Sequence, residues 1–228
     1  MDYMNKTKII NAMELSAAAY KNIQPMAPGV TLGVIDSENG VQCFLRRQGD
    51  TLYITFRGSD SSRDWATDLT FWKKTLPYGN KFSPIRVHTG FINAYNSPSV
   101  RSVIHSWITG STHHIKITGH SYGAALGVLC AVDIEYNFPD KDIEAIVFGC
   151  PRVGNNAFKK SYNKRVFKTV RVENGNDIVT KIPFAICGYR HVGTRLHIGL
   201  PRLLTNASRQ DHRLQYYYES LIKKYLPD

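Results

Sequence analysis

The stretch ITGHSYGAAL, residues 117–126, decides the fold. A β-like run over 115–118 ends at Gly119, Ser121 stands between Gly119 and Gly123, and a helix-like run of small residues follows. This pattern predicts a sharp strand-to-helix turn that strains the backbone of the serine. A side chain two positions either way would collide with the adjoining strand or helix, so both glycines are needed. The Ser121 hydroxyl should project above a sheet edge, at the positive end of a helix.

The segments around this turn predict an α/β fold. Short antiparallel strands come first and β-α-β alternation follows, which indicates a mostly parallel central sheet with antiparallel N-terminal strands and helices on both faces. One domain over 1–228 is expected, because no internal repeat or long linker occurs. Helices are predicted over 7–22, 97–109, 122–136, 155–162 and 211–226, strands over 31–35, 41–46, 52–56, 115–118, 143–148 and 166–172, and a hairpin near 190–198. The last helix should bury Leu214, Tyr218, Leu221, Ile222 and Tyr225.

The bulk composition limits the function classes. Formal net charge is +11, from 29 basic and 18 acidic residues. The basic residues are scattered and no nucleic-acid motif occurs, so a basic surface is favoured, attraction to anionic lipid comes second and nucleic-acid binding third. No apolar run approaches the roughly 18 residues that span a bilayer. The chain start lacks a basic head and apolar core, so no secretory signal and a cytoplasmic location are expected.

A serine hydroxyl needs a base and an orienting carboxylate before it can act as a nucleophile. Asp133 lies within the helix after the turn, and Asp140 and Asp142 precede strand 143–148, at its opposite end. Asp177 follows strand 166–172 and should lie at the same sheet edge as the serine, which makes it the candidate acid. Its alternative role is that of a simple turn former.

Three histidines follow the candidate acid and could supply the base. His191 and His197 fall in the predicted hairpin, where a structural role is plausible. His212 begins the last predicted helix, and a loop could carry it over the sheet. Geometry favours His212 over His191.

The oxyanion formed by attack on a carbonyl needs hydrogen-bond donors. One should be the backbone N–H of Tyr122, directly after the serine. Another should come from a loop after an earlier strand, and Ser59 follows strand 52–56 with both an N–H and a hydroxyl. The alternative for this segment is a polar strand exit.

These segments together resemble the class 3 lipase family, and the resemblance spans about residues 50 to 215. The similar blocks are FRGSDSSRDWATDL (56–69), VHTGFINAY (87–95), ITGHSYGAAL (117–126), VFGCPRVGN (147–155), VENGNDIVTKIP (172–183) and YRHVG (189–193).

The resemblance implies an α/β-hydrolase fold and a Ser121–Asp177–His212 triad that needs no metal or cofactor. It implies Ser59 and Tyr122 as oxyanion donors, with His191 and His88 as structural residues. The expected substrates are acylglycerols. A phospholipase A1, a feruloyl-type esterase or an acyltransferase could use the same chemistry, and a non-catalytic lipid- or partner-binding module is the alternative of a different class.

Relatives in this family carry a mobile helical lid near the oxyanion segment. In this chain that neighbourhood holds Trp65, Leu69 and Trp72. They are candidates for a small lid or acyl pocket, and ordinary core residues are the alternative.

Overall fold

The computed structural model describes residues 5–21, 26–59, 73–75, 82–200 and 207–225. Within these ranges the α-helices are α1 (Lys6–Tyr20), α2 (Thr89–Tyr95), α3 (Pro98–Ser106), α4 (Tyr122–Asn137), α5 (Asn156–Arg165) and α6 (Leu214–Tyr225). The strands are β1 (Val30–Asp36), β2 (Gln42–Gln48), β3 (Thr51–Phe56), β4 (Lys73–Thr75), β5 (Arg86–His88), β6 (His114–His120), β7 (Asp142–Phe148), β8 (Gly154–Asn155), β9 (Thr169–Asn174), β10 (Tyr189–Arg190) and β11 (Thr194–Ile198).

A seven-stranded sheet in the order β1-β2-β3-β6-β7-β9-β11 forms the centre of the fold. β1, β2 and β3 pair antiparallel, and every pairing from β3 through β6, β7 and β9 to β11 is parallel. The predicted α/β architecture with antiparallel N-terminal strands is confirmed. In a sheet of this kind the functional groups collect outside the carboxyl ends of the parallel strands.

The central sheet buries side chains on both faces, as parallel sheets do. In β7, Ala145 and Val147 pack on one side in the core that includes α4, while Ile146 and Phe148 pack on the other side. The second core includes side chains of α1 and α6. Helices therefore cover both faces, as predicted.

The predicted hairpin over 190–198 is wrong. β10 pairs antiparallel with β8 in a separate four-stranded sheet of order β10-β8-β5-β4. β11 instead pairs parallel with β9 at the edge of the central sheet. The two short strands are neighbours in sequence but satisfy their backbone hydrogen bonds in different sheets.

The buried face of α6 also differs from the predicted one. Tyr217 and Leu221 are fully buried, with Leu214 and Tyr225 packed beside them, whereas Tyr218 is 41% exposed. Leu214, Leu221 and Tyr225 lie on the buried face as predicted, but Tyr217 takes the place of Tyr218, and Ile222 is half-buried. Among the helices that the structure describes, none is long and apolar enough to cross a bilayer.

Candidate active site

The turn between β6 and α4 has the strained geometry that the glycines predict. Ser121 has φ 59° and ψ −125°, and in the described part of the chain no other non-glycine residue has a positive φ. A Cβ at Gly123 would lie 2.4 Å from the carbonyl oxygen of Phe56, and one at Gly119 would lie 2.7 Å from the backbone of Gly123. Any side chain at either glycine would push the turn apart.

The Ser121 side chain meets the imidazole of His212. Ser121 Oγ lies 2.8 Å from His212 Nε2, and both residues are buried, with 1% and 4% of their surface exposed. His212 precedes α6 by two residues, in the loop that the sequence predicts to carry it over the sheet. A nucleophile and a base within hydrogen-bond reach form the first half of an activated serine.

Asp177 lies behind the imidazole. Its Oδ2 is 2.9 Å from His212 Nδ1 and accepts a second hydrogen bond of 2.6 Å from the Tyr217 hydroxyl. Its Oδ1 accepts from the backbone N–H of Val179 at 2.8 Å. One oxygen of Asp177 therefore stabilises its turn, and the other faces the histidine.

The charge of Asp177 is held in place by its neighbours. Burial alone would raise the pKa of this carboxyl, but the facing imidazole of His212 and the hydrogen bonds from His212, Tyr217 and the Val179 N–H lower it below its usual value. Asp177 is therefore ionised over the physiological pH range and stabilises positive charge on the ring.

Asp211 anchors the loop of the histidine to the loop of the acid. Its Oδ2 accepts from the Asn176 N–H at 2.8 Å, and its carbonyl accepts from the Asn174 side chain at 3.0 Å. Gly175 has φ +48°, and a Cβ there would lie 2.6 Å from the Asp211 carboxylate. A backbone hydrogen bond from Ile178 N–H to the Ser208 carbonyl joins the same two loops. The distance between the acid and the base is thus fixed from both sides.

A second histidine supports the first. His120, the residue before Ser121, stacks on His212 with 4.6 Å between ring centroids. Its Nε2 donates to the backbone carbonyl of His212 at 2.8 Å, because a carbonyl only accepts. Burial first and the neighbouring His212 second lower the pKa of His120 from 6.5 to about 3, so the ring is neutral. Its Nδ1 therefore accepts from the Tyr20 hydroxyl, 2.9 Å away.

Tyr122 lies at the turn between β6 and α4, which we call the elbow, and the residue before Ser59 packs against this turn. Tyr122 is the first residue of α4, directly after Ser121. Ser59 follows Gly58, and a Cβ on Gly58 would lie 2.7 Å from the His120 carbonyl and 1.9 Å from the Tyr20 hydroxyl. The segment that carries Ser59 therefore runs against the elbow, as an oxyanion loop must.

The other histidines and acids singled out in the sequence have structural contacts. His191 Nε2 donates to the Thr180 carbonyl at 2.7 Å, and burial first and nearby cations second lower its pKa to about 2. His88 caps α2 by accepting from the Phe91 N–H at 3.3 Å. The buried Asp133 accepts from several donors on α2 and α3, among them two of the three nitrogens of the Arg101 guanidinium. Asp140 and Asp142 lie at the opposite end of β7.

The candidate lid residues Trp65, Leu69 and Trp72 lie outside the described residues. Their role stays a prediction.

Three residues at the site carry no motif signal that singled them out: Tyr20, His120 and Tyr217. His120 lies inside the Gly-x-Ser-x-Gly pentapeptide but occupies one of its variable positions. Tyr217 shares the helical phase of Leu214 and Leu221, which is the one signal in the sequence that could have placed it at the buried face of α6.

Replacement of Tyr217 by phenylalanine should cost about 1.5–3 kcal/mol of unfolding free energy, because a buried carboxylate loses a donor. The full loss of unfolding free energy should appear at pH values above the ordinary Asp pKa of 3.8. It should shrink as pH falls below that value, because the Tyr217 hydrogen bond stabilises the charged form of Asp177, whose pKa is lowered in the folded state. Urea unfolding at several pH values measures this. Tyr162→Phe is the matched control, because its hydroxyl meets the neutral Thr169 hydroxyl at 3.0 Å. An equal, pH-independent loss in both variants would contradict the prediction.

The sequence matches a known family over most of its central part. The profile of the family described as Lipase (class 3) matches residues 53–186. A lipase of Rhizomucor miehei is 34% identical over 149 residues, covering 63% of this chain and 40% of the relative. The chloroplastic phospholipase A(1) DAD1 of Arabidopsis thaliana is 32% identical, covering 57% of this chain and 33% of the relative. The secreted mono- and diacylglycerol lipase 1 of Fusarium solani is 27% identical, covering 69% and 47%.

Solved structures agree with the sequence matches. A triacylglycerol lipase, reported to have a serine-protease triad as its catalytic centre, superimposes with a TM-score of 0.73 and 27% identity over 84% of this chain and 79% of its own. The α/β-hydrolase fold is confirmed by this similarity. The chain spans 33% to 47% of the length of the three curated relatives above.

The expected cytoplasmic location is wrong when judged by the relatives. The Fusarium solani relative is secreted and the Arabidopsis thaliana relative is chloroplastic by name. The first residues of this chain therefore do not decide its compartment.

Proposed function

Because this chain belongs to the class 3 lipase family, whose profile spans residues 53–186, we propose that it is a serine hydrolase of acylglycerol esters. The observation that carries the proposal is the unbroken hydrogen-bonded series Ser121–His212–Asp177, with 2.8 Å and 2.9 Å between its members. The reaction forms an acyl-enzyme on Ser121 and releases an alcohol, and water then releases the fatty acid.

The protonation states follow from the contacts of the imidazole. Asp177 is ionised and only accepts, so His212 Nδ1 carries the proton that it donates to Asp177 Oδ2. His212 Nε2 is then the free acceptor for the Ser121 hydroxyl proton. As Ser121 Oγ attacks the ester carbonyl, Nε2 takes this proton and later delivers it to the leaving alkoxide. The Asp177 charge stabilises the imidazolium between these steps.

The oxyanion is expected to form over the N-terminus of α4. The Tyr122 N–H is one donor, and the N–H and hydroxyl of Ser59 are others. A single donor in such a position contributes about 10²–10³-fold to the rate. The positive end of the 16-residue α4 adds to this stabilisation.

The substrate class rests on the relatives and on charge. Two of them act on acylglycerols by name or are called lipase, which favours glycerol esters of fatty acids. The Arabidopsis thaliana relative and the net charge of +11 favour phospholipase A1 activity as the second candidate. Peripheral contact with anionic lipid surfaces is part of the proposal. A non-catalytic lipid-binding module is disfavoured, because such a module has no need of an aligned base and acid behind its serine.

A fluorophosphonate probe tests the proposal directly, because it phosphonylates an activated serine. We expect one adduct, mapped by peptide mass spectrometry to Ser121, and none in Ser121→Ala. Ser161→Ala, which removes a serine of α5, should label like the wild type. The proposal fails if the probe gives no adduct, or if the adduct persists when Ser121 is replaced. The hydrolysis rates of a triglyceride and of a phosphatidylcholine are then compared, and the faster one indicates whether lipase or phospholipase activity dominates.

A further inference from the structure

The segment 181–187, in the connection from β9 to β10, exposes two large apolar side chains. Ile186 is 94% exposed and Phe184 is 52% exposed. We call this segment the 181–187 loop. Neighbouring exposed apolar side chains often mark a surface that contacts a partner or a membrane.

Cationic side chains hold this loop through its backbone carbonyls. Arg152 Nη1 donates to the carbonyls of Lys181 and Pro183, the latter at 3.0 Å. Arg190 Nη1 donates to the Ala185 carbonyl at 2.7 Å. A neutral carbonyl accepts the hydrogen bond but leaves the positive charge in place.

Lys73 approaches the far end of the loop, where its Nζ donates to the Cys187 carbonyl and lies 4.3 Å from the centre of the Tyr189 ring. In the ranges that the structure describes, Lys73, Arg152, Lys181 and Arg190 form no ion pair with a carboxylate. Four cations thus surround two exposed apolar side chains.

The sequence segments that form this surface contain no acidic residues. No Asp or Glu occurs over 69–132, 145–172 or 178–210, the segments that hold β4, β5, β8, β10 and the 181–187 loop. The lowered pKa of Arg152, caused first by burial and then by Arg190, also shows that the cations lie close enough to repel each other. The surface is therefore strongly positive as well as apolar.

The loop is joined rigidly to the site. It begins four residues after Asp177, and the Thr180 hydroxyl donates to the Asp177 carbonyl at 2.8 Å. His191 Nε2 holds the Thr180 carbonyl from the other side. A surface that binds the loop would lie at the same sheet edge as Ser121.

We propose that the 181–187 loop, with Lys73, Arg152 and Arg190, is a docking surface for an anionic phospholipid bilayer. Ile186 and Phe184 enter the headgroup region, and the cations bind lipid phosphates and carboxylates. Exposed apolar side chains among unpaired cations favour an anionic bilayer over a nucleic acid, because a bilayer interface takes up apolar side chains while its headgroups attract the cations. The proposal deepens the proposed function and rests on it for the lipid nature of the substrate, while docking itself needs no catalysis.

Vesicle sedimentation tests the docking surface in the Ser121→Ala chain, which cannot consume the lipid. We expect binding to phosphatidylcholine vesicles that contain phosphatidylserine, weak binding to pure phosphatidylcholine, and release by salt. Ile186→Ser should weaken binding by about 10- to 30-fold, from the transfer free energy of the side chain. Lys181→Gln should weaken it by about fivefold.

Matched control residues lie near the amino ends of the parallel strands, at the opposite end of the sheet from Ser121. Phe167 is 65% exposed before β9, and Lys164 is in the last turn of α5. Phe167→Ser and Lys164→Gln should bind like the parent. The docking surface is refuted if Ile186→Ser binds vesicles as tightly as Phe167→Ser, or if the vesicles show no anionic preference.

Hydrolysis of a soluble nitrophenyl ester by the wild-type chain is measured separately. Ester turnover without docking would remove only the docking surface. Docking without ester turnover would remove the proposed function and leave the surface standing.

Discussion

Replacement of His212 by alanine is expected to lower kcat by about 10⁶-fold, because single losses of the base in hydrolases of this chemistry reach that size. The substitution removes the imidazole that lies 2.8 Å from Ser121 Oγ and takes its proton in the proposed mechanism. The residual rate would come from oxyanion donors and substrate binding alone. Hydrolysis of a soluble nitrophenyl ester measures the fall in kcat and the residual rate, and the fluorophosphonate labelling rate reports the reactivity of Ser121 independently.

His120 cannot replace the lost base, although its ring stacks on His212. Its Nε2 carries a proton for the His212 carbonyl, its Nδ1 accepts from Tyr20, and its pKa of about 3 makes it a very weak base. His114→Ala is the control, because His114 begins β6 at the far edge of the sheet. Activity in His212→Ala within a thousandfold of His114→Ala would show that another group acts as the base.

Replacement of Asp177 by asparagine is expected to lower kcat by about 10⁴-fold with little change in KM. The Val179 N–H should hold the amide oxygen at the position of Oδ1, which turns the amide NH₂ toward the imidazole. His212 would then accept at Nδ1 and carry its proton on Nε2. In that tautomer Nε2 cannot accept the Ser121 proton.

The pH profile separates a tautomer change from a collapsed site. The fall should be largest near neutral pH, and hydroxide at high pH should recover part of the rate by removing the serine proton itself. Asp140→Asn, an exposed change at the other end of the sheet, should keep wild-type kinetics. A loss of only tenfold, or a loss that appears in KM, would mean that Asp177 mainly stabilises its turn.

The parts of the fold predicted correctly depend on local sequence. The elbow needs only two glycines, a serine and a change of hydrophobic period within ten residues, and the structure reproduces it in detail. The position of Asp177 followed from chain order, since an acid after a parallel strand must lie at the carboxyl edge. The catalytic roles of these residues remain a prediction from that geometry.

The errors concern partners that are distant along the chain. Two short strands do occur near 190–198, but their pairing with β8 and β9 depends on hydrogen-bonding edges that no local pattern reveals. Tyr217 takes the place of Tyr218 on the buried face of α6, where its hydroxyl donates to a carboxylate 40 residues earlier. The contact of Tyr20 with His120 joins residues 100 positions apart.

That last contact bears on how the protein can be shortened. The family profile begins at residue 53, so α1 falls outside it. Yet Tyr20, the final residue of α1, reaches the ring of His120 and packs on Gly58, the neighbour of Ser59. A fragment that starts at residue 53 and runs to the end of the chain would keep Ser121, Asp177 and His212 but would lose the contacts of Tyr20 with His120 and Gly58. A shortened form of this protein should therefore retain the whole of α1 and start at or before Lys6.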